Sequence, residues 1–523
     1  MRPVKVLAGT AGMVAVLTLA SRLMGLVRKL AQSWALSDGQ VATAYDTANT
    51  VPNVLFEVAA GGALAGAIIP LISRYLSKGR HAQADQTASA LLTWIALIGI
   101  PVAVLLVIFS APLAKVLLPQ ATPELLWLTT IFLRIFAVQV PLYGVSVVAT
   151  GILQSHGKFV LPALSPLLSS VAVTAAFLGY SNLADPFVDP GSLSWGAIAL
   201  LGWGTTAGVA VFSLPQLFIA GRHAKLRPTL TFPEGAGREV VRLGFAGLAA
   251  LLAQQIAIVV IMVTANGLGG TGTYAAFNYA YAMFMVPYAV LAVPIATVVF
   301  PQLSAASGER LMVLTSRSTR LVFAMGALSA VLLFVLAEPA KVVLELGRDI
   351  SGLDTAMRAM APGLIGFSLL YHGARVLYAQ NAPGLVILCN SLSWASVVIV
   401  LGCAYVIGVS GRQETLVAIG LSLSIGLSIG GVLVLAAIRR QLGSSALQGI
   451  ARLATALLPT LFIVGLAVEW IVERILAGGG ASIASAFGAA MIGALLLLSA
   501  TALCVLMTDR QLIRRPFSDS VER

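Results

Sequence analysis

Long apolar stretches, separated by short polar segments, follow one another along the whole chain. A helix needs about 20 mostly apolar residues to cross the hydrocarbon core of a bilayer. Stretches of that length lie at residues 8–35, 42–77, 88–113, 125–154, 160–180, 190–221, 238–266, 274–305, 312–337, 352–380, 382–409, 414–438, 449–472 and 480–507. The pattern therefore predicts an all-α polytopic membrane protein with 14 transmembrane helices.

The composition changes this picture only by excluding other classes of protein. Of the 523 residues, 59% are hydrophobic and 10% are charged, whereas a soluble protein carries about 25% charged residues. The connections between spans are short and contain no Walker-type phosphate loop, so a nucleotide-driven domain is excluded. The cysteines Cys389, Cys403 and Cys504 all lie in apolar stretches and indicate neither a disulfide framework nor a metal site. No cofactor is expected.

The basic residues predict the orientation of the chain. A net charge of +12 would suggest nucleic acid binding in a soluble protein. With a cytoplasmic N-terminus, however, about two thirds of the Lys and Arg residues fall in cytoplasmic segments, and an even span count places both termini in the cytoplasm. We therefore expect no nucleic acid partner. The alternative, cleavage of a signal peptide after Thr18-Leu19-Ala20, would leave thirteen spans and lose this agreement.

Five bases remain inside predicted spans: Arg22, Arg28, Lys29, Arg134 and Arg375. An Arg at the centre of a membrane helix costs about 2.5–3.5 kcal/mol on insertion scales, so three bases close together in the first span favour a water-filled cavity. Arg22 and Lys29 share nearly one face of that helix, and Gly25 between the bases could bend it. The alternative is that Arg28, Lys29 and Arg375 lie near helix ends and reach the headgroups.

Acidic residues inside the spans are rarer. Asp46 and Glu57, both in the second span, have no base one turn away on their own helix, so a partner must come from another helix. The bases of the first span are the nearest supply. We therefore hypothesise that Glu57 pairs with Arg22 or Arg28.

Prolines indicate an internal repeat. The second span contains Pro52 and Pro70, and the eighth contains Pro287 and Pro301 at similar spacing. Proline-interrupted spans at matching places in two halves are typical of transporters with a central site, and the alternative is a chance similarity between apolar helices. The repeat predicts two pseudo-symmetric six-helix lobes, at residues 1–221 and 222–440. Spans 13 and 14, with a short cytoplasmic tail, then form an addition at 441–523.

Three sequence segments resemble a known family. Ser21-Arg22-Leu23-Met24-Gly25-Leu26-Val27-Arg28, Ala48-Asn49-Thr50-Val51-Pro52-Asn53 and Gly61-Gly62-Ala63-Leu64 are similar to the N-terminal signature of the MurJ or MviN lipid II flippases, members of the MOP exporter superfamily. The resemblance implies two lobes in a V around a central cavity, alternating access, and a C-terminal helix pair whose groove takes the lipid tail. It also implies a monomer in the bacterial cytoplasmic membrane, with lipid II, membrane lipids and the peptidoglycan synthesis machinery as partners.

The resemblance carries over residue by residue only in part. Arg22 and Arg28 match the two cavity arginines of the family's first helix, Ser21 precedes them as expected, and Asn53 closes the second segment. Lys29 stands where many members have Asp. The chain is therefore similar to a divergent member.

Two further cavity arginines of the family are absent. Phe56, followed by Glu57, stands at one position and Ala282 at the other, so we interpret Arg134 and Arg375 as candidate replacements. The acid of a sodium site found in some members also has no counterpart, because span seven carries only glutamines as strong polar groups. No metal is expected.

These observations fit a lipid-linked diphosphate as the substrate. Its anionic headgroup would bind to basic residues in a cavity, and its apolar tail would stay in the lipid. Arginine binds a diphosphate through paired hydrogen bonds. The predicted substrate-binding residues are Ser21, Arg22, Arg28, Lys29, Asn53, Glu57, Arg134 and Arg375. Two alternatives stay open: a flippase for another polyprenyl-linked oligosaccharide, and a MATE-like multidrug/cation antiporter, which would need more buried acids. A membrane enzyme is disfavoured, since the buried bases are accompanied by no His, Asp or Cys constellation.

Overall fold

The computed structural model describes residues 2–58, 65–345, 350–479, 482–510 and 512. It describes their side chains except at 2–12, 15, 65–67, 242–250 and 479. The Gly61–Leu64 part of the signature and tail residues 513–523 lie outside the described residues.

The described ranges are mostly helical and contain no β-strand. Within these ranges, eleven helices, or pairs of consecutive helices, are long and apolar enough to cross a membrane. The all-α, multi-pass class is therefore confirmed. The three other predicted spans, at 8–35, 42–77 and 352–380, are not among these eleven, and the span at 42–77 includes residues outside the described ranges, so the total of 14 stays a prediction.

The chain forms two compact units, Met1–Gln255 and Ile256–Arg523. The helices of the first unit are α1 (Arg2–Leu36), α2 (Gln40–Glu57), α3 (Ala65–Ser77), α4 (His81–Ile108), α5 (Ser110–Leu117), α6 (Pro123–Phe136), α7 (Gln139–Ser155), α8 (Val160–Tyr180) and α9 (Trp195–His223). Helix α10 (Ala236–Leu268) contains the boundary between the units. The division at 221 and 440 stays a prediction.

The second unit continues with ten helices. They are α11 (Thr273–Pro287), α12 (Val293–Ala305), α13 (Gly308–Val335), α14 (Ala337–Glu345), α15 (Leu353–Met360), α16 (Gly363–Ala379), α17 (Pro383–Ile407), α18 (Arg412–Leu442), α19 (Ile450–Gly479) and α20 (Ile483–Thr508). Helices α19 and α20 pack on each other and on α13 through an apolar core.

The order of helices in the first unit is repeated in the second. A 28-residue helix (α4, α13) is followed by a short helix (α5, α14) and then by a helix broken into two parts (α6–α7, α15–α16). The breaks lie at residues 137–138 and 361–362. Two long helices close each series, α8 and α9 in the first and α17 and α18 in the second. This order supports the predicted repeat.

Among the prolines of spans two and eight, Pro287 lies where the helical path changes. Pro52 is inside α2, and α11 ends at Pro287. Proline lacks the N–H that would continue the helical ladder, and a π-helical turn at Tyr288–Ala292 follows Pro287. This turn joins α11 to α12, which contains Pro301. The eighth span is therefore an interrupted helix, as the sequence predicts.

Aromatic packing fixes α2 in the first unit. The buried Tyr45 ring makes edge contacts with Phe132 and Phe136 of α6 and with Phe177 of α8, at centroid distances of 5.4–6.1 Å. Edge-to-face aromatic pairs contribute about 0.5–1.5 kcal/mol beyond the area they bury. The polar residues further along α2 are thereby held in a fixed position beside α6 and α8.

Candidate functional site

Helix α1 places three predicted site residues along one stretch. Arg22 is exposed, whereas Arg28 and Lys29 are half-buried. The helix continues unbroken through Gly25. Ser21 anchors the helix, because its hydroxyl lies within hydrogen-bond distance of the Ala163 carbonyl of α8 at 3.0 Å. The structure therefore places Ser21 at a helix contact.

A hydrogen-bonded series connects Lys29 to an acid of α2. Lys29 Nζ donates to Gln32 Oε1 at 3.0 Å, and Gln32 Nε2 donates to Asp46 Oδ1 at 2.8 Å. Gln32 and Asp46 are both buried. Asp46 also attracts Lys29 electrostatically. The charge of Lys29 is thus balanced by a buried carboxylate on the neighbouring helix.

Tyr143 of α7 connects most of the remaining site residues. Its hydroxyl donates to Asn53 Oδ1 at 3.0 Å, and its ring stacks on Phe56 with 4.4 Å between the centroids. The hydroxyl also interacts electrostatically with Arg28 and Glu57. The structure therefore joins Asn53 to Tyr143, and the charges of Arg28 and Glu57 lie close enough to act on the same tyrosine.

The hypothesised pair between Glu57 and Arg22 or Arg28 is not formed. Glu57 is exposed near the end of α2, and within the described part of the chain no carboxylate lies within 4.0 Å of either arginine. The acid of α2 that meets a base of α1 is Asp46, one third of the way along the helix.

Hydrogen bonds to α9 hold α2 and α7 in place. Tyr45 shares a 3.0 Å hydrogen bond with Thr205, and Gln139 Nε2 donates to Thr206 Oγ1 at 3.2 Å. All four side chains are buried. A buried polar group is costly to leave unpaired, so these bonds specify the positions of the helices.

Arg134 lies apart from the Tyr143 group. Its Nε donates to Ser110 Oγ, the first residue of α5, at 3.0 Å. Arg134 is exposed on α6, as is Trp127 two turns earlier, and Val138 in the break after α6 is also exposed. Arg134 therefore has a hydrogen-bond partner on α5, and the exposed side chains near it along the chain are apolar.

Arg375 belongs to the second unit and lies among aromatic rings. Its Nη2 donates to the Tyr371 hydroxyl at 2.9 Å, and its guanidinium lies 5.0 Å from the Tyr371 ring and 5.4 Å from the Phe300 ring. Tyr371 in turn meets Tyr288 of the π-helical turn. A cation over aromatic faces is stabilised at low exposure, so Arg375 is held by its surroundings without a counter-ion from this group.

Sequence reasoning missed Tyr143, Gln32 and the role of Asp46. Tyr143 and Gln32 are neutral, and their importance depends on which helices face each other. A buried glutamine three residues after Lys29 was the one signal available. Among the described residues, no group of three or more His, Cys, Asp or Glu could hold a metal ion.

The arrangement in the first unit suits an anionic ligand. Arg22, Arg28 and Lys29 outnumber the acids Asp46 and Glu57, and Asp46 is occupied with Lys29. Arginine can donate paired hydrogen bonds to phosphate oxygens, while Tyr143 and Asn53 provide neutral polar groups beside Arg28. A phosphate-bearing headgroup is the ligand class that this chemistry favours.

Known proteins agree with this reading of the chain. A family model described as lipid II flippase MurJ matches residues 33–487, a range that begins after Arg22, Arg28 and Lys29. The probable lipid II flippase MurJ of Synechocystis sp. is 30% identical over 245 residues, which are 45% of this chain and 44% of that protein. The lipid II flippase MurJ of Burkholderia cenocepacia is 25% identical over 383 residues, which are 70% of this chain and 72% of that protein.

Solved structures share the fold. A lipid II flippase MurJ in an inward closed conformation matches with a TM-score of 0.75 at 18% identity, covering 96% of this chain and 99% of that one. An inward-facing multidrug resistance MATE transporter of the MOP superfamily matches with a TM-score of 0.66 at 17% identity, covering 82% and 99%. Because the family model covers most of the chain, this multi-pass membrane protein belongs to the MurJ lipid II flippase family.

Proposed function

We propose that this protein moves lipid II from the inner to the outer leaflet of the bacterial cytoplasmic membrane. The observation that carries the proposal is the group of bases on α1, with Arg28 beside the hydrogen-bonded pair Tyr143–Asn53, in a chain of the MurJ family. The relatives named lipid II flippases support the choice of substrate.

In the proposed mechanism, Arg22 and Arg28 bind the diphosphate of the headgroup. Arg28 is half-buried, and a charge-assisted hydrogen bond from a partly desolvated arginine is worth about 1.5–3 kcal/mol. Asn53 and Tyr143 orient the sugar or peptide part next to the diphosphate. Lys29, whose charge is balanced by Asp46, does not bind the substrate directly.

The two six-helix lobes then rock to open the basic cavity alternately to either side of the membrane. Arg375 supplies a base from the second lobe, and the lipid tail stays in the bilayer against α19 and α20. The protein works as a transporter without catalytic chemistry. It acts as a monomer with both termini in the cytoplasm, and it receives its substrate from the peptidoglycan synthesis machinery.

An ion gradient or the membrane potential supplies the energy. A potential of 100 mV is worth about 2.3 kcal/mol for each elementary charge that crosses the membrane. The net charge of the site differs between the loaded protein, which holds the anionic headgroup, and the empty protein. A membrane potential therefore acts differently on the two forms and can drive the cycle in one direction.

Arg134 is outside the proposed headgroup site because its guanidinium is bound to Ser110. A cation antiporter is the weaker alternative, since the bases of the first unit outnumber its two intramembrane acids. A flippase for another polyprenyl-linked oligosaccharide would use the same bases, and the experiment below separates it by its substrate.

The test is complementation in a bacterium depleted of its own lipid II flippase. The variant Arg22→Ala with Arg28→Ala is expected to support neither growth nor exposure of lipid II at the outer face of intact cells. Arg222→Ala, which removes an exposed base at the end of α9, is the matched control and should complement. Arg28→Lys keeps the charge but not the paired hydrogen bonds, so intermediate exposure is expected. Normal lipid II exposure by a well-expressed double variant would contradict the proposal, as would exposure of another lipid-linked sugar in its place.

A further inference from the structure

An apolar cleft lies within the unit Met1–Gln255. Its volume is about 630 Å³. The walls come from α2, α4, α7 and the segment that leads into α10, represented by Phe56, Ile98, Val140 and Leu230. All the lining side chains are apolar apart from the indole N–H of Trp94. Such a lining fits a hydrocarbon chain.

Hydrogen bonds fix the wall formed by the connection between α9 and α10. The backbone N–H of Arg227 donates to Ser89 Oγ at 3.0 Å, and that of Thr229 donates to Thr93 Oγ1 at 3.1 Å. Trp94 Nε1 donates to the Leu230 carbonyl at 3.1 Å. The connection therefore runs along α4 for several residues and closes one side of the cleft.

The length of the cleft matches one leaflet. Its lining on α4 extends from Leu91 to Val102, a rise of about 16 Å at 1.5 Å per residue, which is half of a hydrocarbon core about 30 Å thick. The first turns of α4 are polar, and the apolar part begins near Leu91. Trp94 lies at that change, where tryptophan is typical of the membrane interface. The cleft thus begins at the interface and continues through one leaflet.

Bases lie at the same end of α10 as the cleft. Gly237, Val240 and Val241 line the cleft, whereas Arg238 and Glu239, on the adjoining face of α10, line a second cavity of about 300 Å³ together with Arg74. Arg74 forms an ion pair with Glu239. The neighbouring turns add bases in excess of acids, namely Lys78, Arg80, Arg222, Lys225 and Arg227.

We propose that the cleft is a binding site for an anionic glycerophospholipid of the cytoplasmic leaflet. One acyl chain occupies the cleft, and the phosphate lies near Arg74 and Arg238. A leaflet is as thick as one acyl chain is long, so the length of the cleft suits such a chain, whereas the polyprenyl chain of lipid II is far longer than a leaflet. The bases at the mouth match the negative surface of that leaflet. Phe56 forms part of the wall and stacks on Tyr143, which donates a hydrogen bond to Asn53. A bound acyl chain therefore also supports the position of the Tyr143 ring.

The acyl chain is tested by photolabelling of the full-length protein in phosphatidylcholine vesicles. The probe is phosphatidylglycerol with a diazirine in the middle of one acyl chain, and adducts are expected on peptides that contain residues 91–102 or 230–241. Ile98→Trp places a large ring in the cleft and should abolish these adducts. Ile100→Trp is the matched control, because Ile100 is about as exposed as Ile98, on the same helix, but does not line the cleft. Equal labelling of both variants would overturn the proposal.

The headgroup is tested with the same diazirine on phosphatidylcholine and phosphatidylglycerol. Arg238→Gln is expected to lower the preference for phosphatidylglycerol about fivefold, as loss of one base near a charged surface predicts. Arg440→Gln removes an exposed base at the end of α18 that lines neither cavity, and it should leave the preference unchanged. Equal labelling by the two probes would overturn the proposal. Competition by lipid II but not by unlabelled phosphatidylglycerol would also overturn it, and would assign the cleft to the substrate tail. No transport is measured here, so a failure is distinguishable from failure of the flippase proposal.

Discussion

The hydroxyl of Tyr143 on α7 donates a 3.0 Å hydrogen bond to the side-chain oxygen of Asn53 on α2. The ring of the same tyrosine stacks on Phe56, and its hydroxyl interacts electrostatically with Arg28. One neutral residue thus connects a predicted substrate residue, a base and the wall of the apolar cleft. Any substrate that contacts Asn53 competes with, or adds to, this hydrogen bond.

Removal of the Tyr143 hydroxyl is expected to impair transport more than stability. Tyr143→Phe keeps the stacked ring but loses a hydrogen bond worth about 1 kcal/mol, so lipid II exposure should fall about fivefold. Tyr378→Phe, an exposed tyrosine at the end of α16, is the control. Asn53→Ala added to Tyr143→Phe should cause little further loss, because the two residues share one interaction. Fully additive losses would argue against a shared role.

Lys29 and Asp46 are expected to depend on each other for stability. Asp46→Asn leaves Lys29 without its balancing carboxylate, and Lys29→Gln leaves a buried carboxylate with one base fewer. Hydrogen bonds to charged groups are worth about 1.5–3 kcal/mol, so each single change should lower the free energy of unfolding by about that amount.

The double change Lys29→Gln with Asp46→Asn should recover part of this loss, since neither charge then remains. Thermal unfolding of the purified protein in detergent gives the comparison. Glu57→Gln is the control, because Glu57 is exposed and forms no ion pair with a described residue. A double variant that is less stable than both single variants would refute the coupling.

Arg134 is expected to contribute to local packing and not to transport. Arg134→Gln and Ser110→Ala each remove the same hydrogen bond, so each should cost below about 1.5 kcal/mol of stability and leave lipid II exposure unchanged. The complementation assay used for Arg28 measures this directly. A loss of exposure as severe as that of the Arg28 variants would place Arg134 on the substrate path, as the sequence-based hypothesis has it.

The planar shape of the Arg375 guanidinium, and not only its charge, is expected to matter for transport. Arg375→Lys keeps the charge but cannot reproduce the planar group that faces Tyr371 and Phe300, so lipid II exposure should fall although the protein remains folded. Tyr371→Phe removes the hydroxyl bond and keeps the ring, and about 1 kcal/mol should be lost. Equal activity of wild type and Arg375→Lys would show that charge alone suffices there.

The helices and the bases of the first unit could be predicted from the sequence, because apolar length and the cost of burying charge are properties of single segments. The proline spacing likewise predicted the interruption of the eighth span after Pro287. The partner of each charge could not be predicted in this way. Glu57 was the acid expected beside the bases of the first span. In the folded chain, Asp46 is instead the acid connected to Lys29, because the packing of α1 on α2 places Gln32 within hydrogen-bond distance of Asp46.

The other contacts that could not be predicted from the sequence involve neutral residues. Tyr143 has no charge that would mark it inside an apolar span, and its position opposite Asn53 depends on how α7 packs beside α2. Arg134 and Arg375 were identified from the sequence as unusual bases in apolar helices, and their role at the site stays a prediction. Their partners, Ser110 and the aromatic rings, come from other helices and are visible only in the folded chain.

The repeated order of helices means that one scaffold is present twice, whereas the cluster of three intramembrane bases is present once, on α1. The second copy carries aromatic rings around a single arginine instead. Each copy is held by its own apolar contacts, so side chains that face a cargo can diverge in one copy while the helices of both are retained.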